Sequence, residues 1–554
     1  MKHIKALGVM ALVMAAPVSA QVVQGIEPVR TRGGQVAGKV LENGTRAWLG
    51  VPFAKPPVND LRWAPPQPVT WNGVWNADRK MPECMQVLRP HDINHYFGEE
   101  ATSEDCLYLN VWAPPGSKPS DKLPVLVFIY GGGSTIGSAG SPMYDGARIA
   151  QKGVVYVTIA YRLGIMGWMA HPELTREQGG HSGNYGYLDQ SFALKWIRDN
   201  IGAFGGDPGR VTISGQSAGA GSVSAQMHSP LSKGLFQAAM MSSTCNIGTG
   251  TLPTLADGEK VGLDIQNRMG VASLAELRMI PADKLVRLQA ETQVGYNNTG
   301  GVRATPVLDG YFFTRQKADA MSSHEMSDVP VLANFNSGES GSPLFAAKTV
   351  ADYQRIATDM YGEKAKEFLK LYPAKTDADV FPTVVRVARE TGIANASRTC
   401  AVNQAANNTQ PVFQSMFDRR HSYAAGLVLA DQDPKVIGAY HNADIPFFLD
   451  YLESFNRVRH TRDWTDDDRA MAGTMSDALV AFVKTHDPST PALKWTAWSA
   501  KNDAFMRFAA TAKMEPFNAK GMAWLAANKP AGGLPPMGGG AGTPGVISGK
   551  GPRD

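Results

Sequence analysis

Three runs in this chain are apolar at nearly every position, and they limit the fold more than any other feature. They are PVLVFIY (Pro124–Tyr130), GVVYVTIAY (Gly153–Tyr161) and the shorter RVTIS (Arg210–Ser214). A strand with one wet face alternates apolar and polar residues, so runs apolar on both faces belong in the middle of a sheet covered on both sides. Between the second and third runs, YLDQSFALKWIRDNI places Leu188, Phe192 and Trp196 at i, i+4 spacing, with Ala193, Ile197 and Ile201 beside them. That stripe predicts an amphipathic helix ended by Gly205, Gly206 and an Asp207-Pro208 turn. QAAMMSS, DVPVLANFNS and QPVFQSMFD continue as core strands separated by long, mostly helical stretches. Strands alternating with helices make a mostly parallel sheet with helices on both faces, an α/β fold. VRTRGGQVAGKV and TRAWLGVPFAKPP alternate around glycines and predict a small N-terminal antiparallel ribbon, and LYLNVWAPP is a further strand ended by proline. The long helical insertions are expected to form a cap and not a second folding domain.

The two ends differ from the body. MKHIKALGVMALVMAAPVSA has a Lys-bearing start, an apolar run from Ala6 to Ala16 and small residues at Ser19 and Ala20. This reads as an export signal, residues 1–20, since the run is shorter than the ~20 residues a span needs. From Ala531 the chain is rich in Gly and Pro with few large apolar residues, so 531–554 is expected to be a disordered tail and 21–530 the folded body. No later segment is apolar enough to span a membrane. Lys plus Arg is 54 and Asp plus Glu 50, a net charge of +4, and no basic block occurs. Composition therefore gives no support to nucleic acid as a partner. An oxidising compartment makes the four cysteines candidates for disulfides with three possible pairings. Cys84 with Cys106 closes a short loop, which leaves Cys245 with Cys400 by elimination. No CxxC or HxxH spacing suggests a metal, and no cofactor is expected.

GQSAG at Gly215–Gly219 puts a serine between glycines at a strand-to-helix junction. A serine hydroxyl is a poor nucleophile until a base lies within hydrogen-bond reach and donors await the oxyanion. G-x-S-x-G supplies the sharp turn that exposes the hydroxyl. Alone the pattern is weak in a chain with 57 glycines. The helix opening at Ala218 adds an amide and a positive dipole end. Upstream, PVLVFIY runs directly into GGGST, and consecutive glycines at a strand end can present backbone N–H groups to an oxyanion.

SEDCLYLNVWAPP (Ser103–Pro115) and FGGDPGRVTISGQSAG (Phe204–Gly219) resemble the two signature segments of the type-B carboxylesterases, which include the cholinesterases and share the α/β-hydrolase fold. YRLGIMGW, GNYGYLDQSFALKWIRDNI and PVLDGYFF resemble further landmarks, and the resemblance runs from about Val29 to about Phe508. It implies a serine esterase working through an acyl-enzyme on a small-molecule ester. The fold's order of nucleophile, acid and histidine then assigns Ser217, Glu339 in VPVLANFNSGESG and His441 in GAYHNADIPFFL. Asp309 and Asp444 are the rival acids, and His421 and His460 the rival bases. Gly132, Gly133 and Ala218 would donate the oxyanion hydrogen bonds. The resemblance also supports the Cys84–Cys106 pairing, whereas Cys245 lacks the near neighbour often seen in relatives.

Three departures bear on substrate. Gln216 stands where the family usually has Glu, Ser134 where an aromatic residue usually follows the glycines, and MQVLRPHDINHYFGEEATSEDC lacks the Trp that stacks on choline in cholinesterases. Tyr96 lies near that position, and stacking on tyrosine is weaker than on tryptophan. Ser134, Gln216 and Tyr96 are therefore the substrate-pocket candidates, and an uncharged or acidic ester is expected over a choline ester. The same triad would also suit an amide, thioester or carbamate. A non-catalytic binding protein on this scaffold is the reading from another class.

Overall fold

A computed structural model of the protein describes residues 25–87, 100–291, 302–429, 438–457 and 459–530, with 293–294, 297–298 and 434 between them. The expected signal, 1–20, and the expected tail, 531–554, lie outside the described residues.

The apolar runs form the middle of one thirteen-stranded sheet. In chain order its strands are β1 (Gly25–Arg30), β2 (Gln35–Val40), β3 (Arg46–Pro52), β4 (Val74–Asn76), β5 (Tyr108–Ala113), β6 (Leu123–Ile129), β7 (Val155–Ile159), β8 (Gly206–Gln216), β9 (Ala238–Ser242), β10 (Val331–Asn336), β11 (Val412–Phe417), β12 (Ala504–Phe508) and β13 (Ala512–Pro516). Across the sheet they lie β1-β2-β3-β5-β7-β6-β8-β9-β10-β11-β12-β13, with β4 beside β2. Every neighbouring pair from β7 to β12 is parallel. Antiparallel pairs bound this block, β5 with β7 on one side and β12 with β13 on the other. All residues of β7, β9, β10 and β11 are buried, as a doubly covered sheet requires. The architecture is that of an α/β-hydrolase.

The N-terminal strands pair antiparallel as expected, but they do not stand apart as a ribbon. β3 pairs with β5, so they extend the main sheet as its edge. β3 is almost wholly buried, and a strand with that much apolar surface needs neighbours on both sides. β12 and β13 escaped the sequence reading because FMRFAATAKMEP is short and carries charges.

Helix α1 (Tyr185–Asn200) ends earlier than expected. A 3-10 turn, Ile201–Phe204, follows, and Gly205 at φ 91° closes it in the left-handed region that glycine tolerates. Asp207-Pro208 does not end the helix. It lies within β8, where the pairing with β6 shifts between Gly206 and Val211. Asp207 Oδ1 accepts the Gly209 N–H at 2.9 Å, and Pro208 has no N–H to give the ladder, so the strand bulges there.

Beyond α2 (Ala218–His228), the stretch between β10 and β11 carries α3 (Val350–Tyr361), α4 (Asp377–Thr391) and α5 (Ile393–Asn407), and after β11 come α6 (Asp466–Thr485) and α7 (Ala519–Ala527). Residues of α3, α4 and α7 share a small apolar cluster with Phe368 and Tyr372, apart from the main core. The sequence reading did not separate that cluster. Among the described residues no helix is long and apolar enough to cross a membrane.

Candidate active site

Ser217 occupies the junction of β8 and α2 with φ 58° and ψ −124°. A non-glycine residue held there costs about 1–3 kcal/mol and persists only where its surroundings fix it. Its N–H donates to the Ser242 carbonyl at 2.8 Å, and its own carbonyl accepts from the Gly221 N–H at 2.9 Å. The flanking glycines are required by contact. A Cβ on Gly215 would lie 2.4 Å from the Gly219 carbonyl, and one on Gly219 would lie 2.0 Å from the Ile129 carbonyl oxygen on β6. The G-x-S-x-G pattern is thus the sequence trace of a turn pressed against the neighbouring strand.

Two loops from other strands meet this serine. His441 Nε2 lies 2.8 Å from Ser217 Oγ, and His441 Nδ1 lies 2.5 Å from Glu339 Oε2. The other Glu339 oxygen accepts the Asn336 N–H at 2.7 Å, while the Gly338 N–H donates to the Ala439 carbonyl at 2.9 Å and ties the glutamate loop to the histidine loop. The Glu339 side chain is 2% exposed and that of His441 26%, so the carboxylate is shut away while the imidazole meets solvent on one side. Burial pushes the His441 pKa down, but the hydrogen bond and charge of Glu339, with the charge of Asp444, outweigh it and hold the pKa above 6.5.

The rival residues are engaged elsewhere. Asp309 Oδ1 accepts the backbone N–H groups of Tyr311, Phe312 and Phe313. His421 Nε2 faces the Ala443 carbonyl at 2.8 Å, and His460 pairs with Asp463 at 2.7 Å on the surface. Asp444 is fully buried, accepting from the Ser242 hydroxyl and from the side-chain amides of Asn334 at 2.8 Å and Asn336 at 2.9 Å. Its carboxylate therefore braces the strand ends behind His441 without bonding to the imidazole. Asn334 and Asn336 were not foreseen. An asparagine closing an apolar strand carries no signal until the loop it braces is known.

The glycine run lies against Ser217. A Cβ on Gly131 would come within 3.0 Å of Ser217 Cβ and 2.7 Å of Gln216 Oε1. Gly132, Gly133 and Ser134 follow at φ 103°, 63° and 61°. Gln86, also unforeseen, holds the far end of this loop by donating to the Gly137 carbonyl and accepting its N–H, both at 2.8 Å. Among the described residues, the amides of Gly132, Gly133 and Ala218 donate to no acceptor. Ser134 is pinned through its carbonyl, which accepts from the Gly164 N–H at 2.8 Å and from Trp168 Nε1 at 2.9 Å. Gln216 is fully buried, and neither atom of its carboxamide has a partner among the described residues. Tyr96 lies outside the described residues. Cys84 is bonded to Cys106 and Cys245 to Cys400, which leaves no free thiol.

A buried carboxylate, an imidazole and a strained serine in hydrogen-bond series are an arrangement that can attack an acyl carbon. Comparison with known proteins agrees in class. The profile of the carboxylesterase family matches residues 27–523. The chain is 39% identical over 379 residues to the fumonisin B1 esterase of Sphingopyxis macrogoltabida, covering 67% of this chain and 68% of that one. It is 32% identical over 480 residues to the para-nitrobenzyl esterase of Bacillus subtilis (strain 168), covering 85% and 92%. A solved PNB esterase structure superposes with a TM-score of 0.70 at 27% identity, covering 90% of this chain and 99% of that one.

Proposed function

Since this chain belongs to the carboxylesterase family and is a carboxylic ester hydrolase, we propose that it works through an acyl-enzyme on Ser217, with His441 as base and Glu339 as its orienting acid. The observation that carries this reading is the unbroken series Glu339, His441, Ser217 at 2.5 and 2.8 Å. Ser217 Oγ bonds to the ester carbonyl carbon as its proton passes to His441 Nε2. Glu339 holds the ring by Nδ1 and stabilises the imidazolium. The carbonyl oxygen, now anionic, is met by the amides of Gly132, Gly133 and Ala218, each donor lowering the barrier by roughly 3 kcal/mol. His441 then gives the proton to the alcohol oxygen as the C–O bond breaks, and a water repeats the sequence to release the acid and free Ser217.

The protein is an exported enzyme in this reading, its signal being residues 1–20. Two disulfides support that, because such bonds persist in oxidising compartments. Substrate follows from the departures in the pocket. With Gln216 in place of an acid and Ser134 in place of an aromatic, an uncharged or acidic ester is favoured over a choline ester. Fumonisin B1, named in a relative's activity, is the first natural ester to assay.

The test is turnover of aryl esters from acetate to palmitate by the wild type and by Ser217→Ala, beside labelling with a fluorophosphonate. Turnover by the wild type, lost in the variant together with labelling, is the expected result. A variant that kept most of its activity would remove Ser217 from the mechanism.

A further inference from the structure

We propose that this protein carries a second, non-catalytic site for a small monocarboxylate, in a cavity between the last four strands of the sheet and helices α4 and α7, with Arg389 as the partner of the carboxylate. The proposal does not rest on the triad chemistry above.

The cavity follows from strand register. Phe335, Met416 and Arg507 are direct cross-strand partners on β10, β11 and β12. Asp418 and Phe505 lie two residues from that row, and Glu515 on β13 pairs with Phe505. Side chains alternate along a strand, so these six share one face of the sheet. Asn334 and Asn336 point to the opposite face and reach Asp444 behind His441, which places the cavity across the sheet from the triad. Over the shared face, α4 presents Arg386, Arg389 and Glu390 at i, i+3 and i+4. Met522 of α7 completes a partly open cavity of about 260 Å³.

Its charges are unequally satisfied. Glu390 accepts from Arg386 Nε at 2.8 Å, the Tyr372 hydroxyl at 2.7 Å and Asn518 Nδ2 at 2.6 Å. Asp418 is held by Arg507 at 2.6 Å, and Glu515 by Arg507 at 3.1 Å and Lys513 at 2.8 Å. Every acid in the wall is thus paired. Arg389 makes no hydrogen bond or ion pair with any described residue, although burial lowers its pKa against the opposing charges of Asp418 and Glu390. A guanidinium keeps its charge in such a place, and its planar fork matches a carboxylate with two parallel N–H···O bonds.

The other wall is apolar and packed upon itself. Phe505 and Phe517 lie 4.7 Å apart between ring centroids, Phe335 is 5.9 Å from Phe505, and Met416 and Met522 adjoin them. These five side chains are already buried, so recognition falls to the charged wall, where a dianion would meet Asp418, Glu390 and Glu515. A ligand carrying one negative charge suits that wall.

Calorimetric titration of the full-length protein with benzoate tests this, the readout being the binding event that depends on Arg389. One benzoate per protein is expected. Arg389→Met should weaken that event at least about tenfold, the loss expected for a charge-assisted pair. Arg389→Lys should restore part of it. Met522→Trp, which fills the cavity with Arg389 intact, should abolish it and guards against misfolding of the Arg389→Met protein. Benzoate binding unchanged in both Arg389→Met and Met522→Trp, or no binding at millimolar benzoate, would overturn the proposal. Arg389-dependent binding of inorganic phosphate as tight as that of benzoate would overturn the assigned ligand class.

Discussion

At the scale of single residues, the proposed mechanism makes His441 the group whose state sets activity. The base must be neutral to take the Ser217 proton, so kcat/KM falls on the acid side as the imidazole protonates. With the pKa held above 6.5 by Glu339 and Asp444, that fall begins at a higher pH than for an unperturbed histidine. Glu339→Gln removes the leading upward contribution and leaves burial to act. Its acid limb should shift to lower pH as kcat drops, in a pH profile of short-chain aryl ester turnover. An unmoved limb would mean that Glu339 does not set the charge of His441. Ser217→Ala should lose ester turnover by three or more orders of magnitude, consistent with the scale of nucleophile removal, while unfolding at a temperature no lower than the wild type. Relief of the strained serine conformation does not come with alanine, which bears the same Cβ.

At the scale of elements, the strand-turn-helix around Ser217 depends on how closely α2 approaches β6. Gly219→Ala would press a methyl to 2.0 Å from the Ile129 carbonyl oxygen, and backbone cannot swing aside. It should cost about 3 kcal/mol, the upper range for overpacking, and disturb Ser217 as well. Gly221→Ala is the control in the same helix, where the new methyl meets only Asn246 Nδ2 at 3.9 Å. That change should be neutral or stabilise by up to about 1 kcal/mol through helix propensity. The urea midpoint should therefore fall for Gly219→Ala and hold or rise for Gly221→Ala. Such elements were readable beforehand because the constraint is local. VTISGQSAGAGS contains the strand, both glycines and the helix in one stretch, whereas β12 and β13 gain their place only by pairing with each other and with β11.

At the scale of the whole molecule, the two disulfides join segments 22 and 155 residues apart. On the chain-entropy account they stabilise by about 3 and about 5 kcal/mol, because the longer loop removes more freedom from the unfolded chain. Replacing both members of the pair Cys245–Cys400 with serine should therefore lower the urea midpoint more than the same change at Cys84–Cys106. The reverse order would show that native-state strain, not loop length, sets their contributions. By itself the sequence determined the class of sheet, the sharp turn that holds Ser217, and the glycine run, since each follows from spacing within about twenty residues. The resemblance of longer segments named Glu339 and His441, although nothing local marks either one. Only the tertiary structure decided that Asn336 braces Glu339, that Asp444 stands behind His441 without bonding to it, that Gln86 clasps the glycine loop, and that Arg389 faces a cavity with no partner among the described residues. Each of these depends on contacts between strands and loops far apart in the chain, and a side chain's partner across such a distance is fixed by packing, which no local pattern encodes.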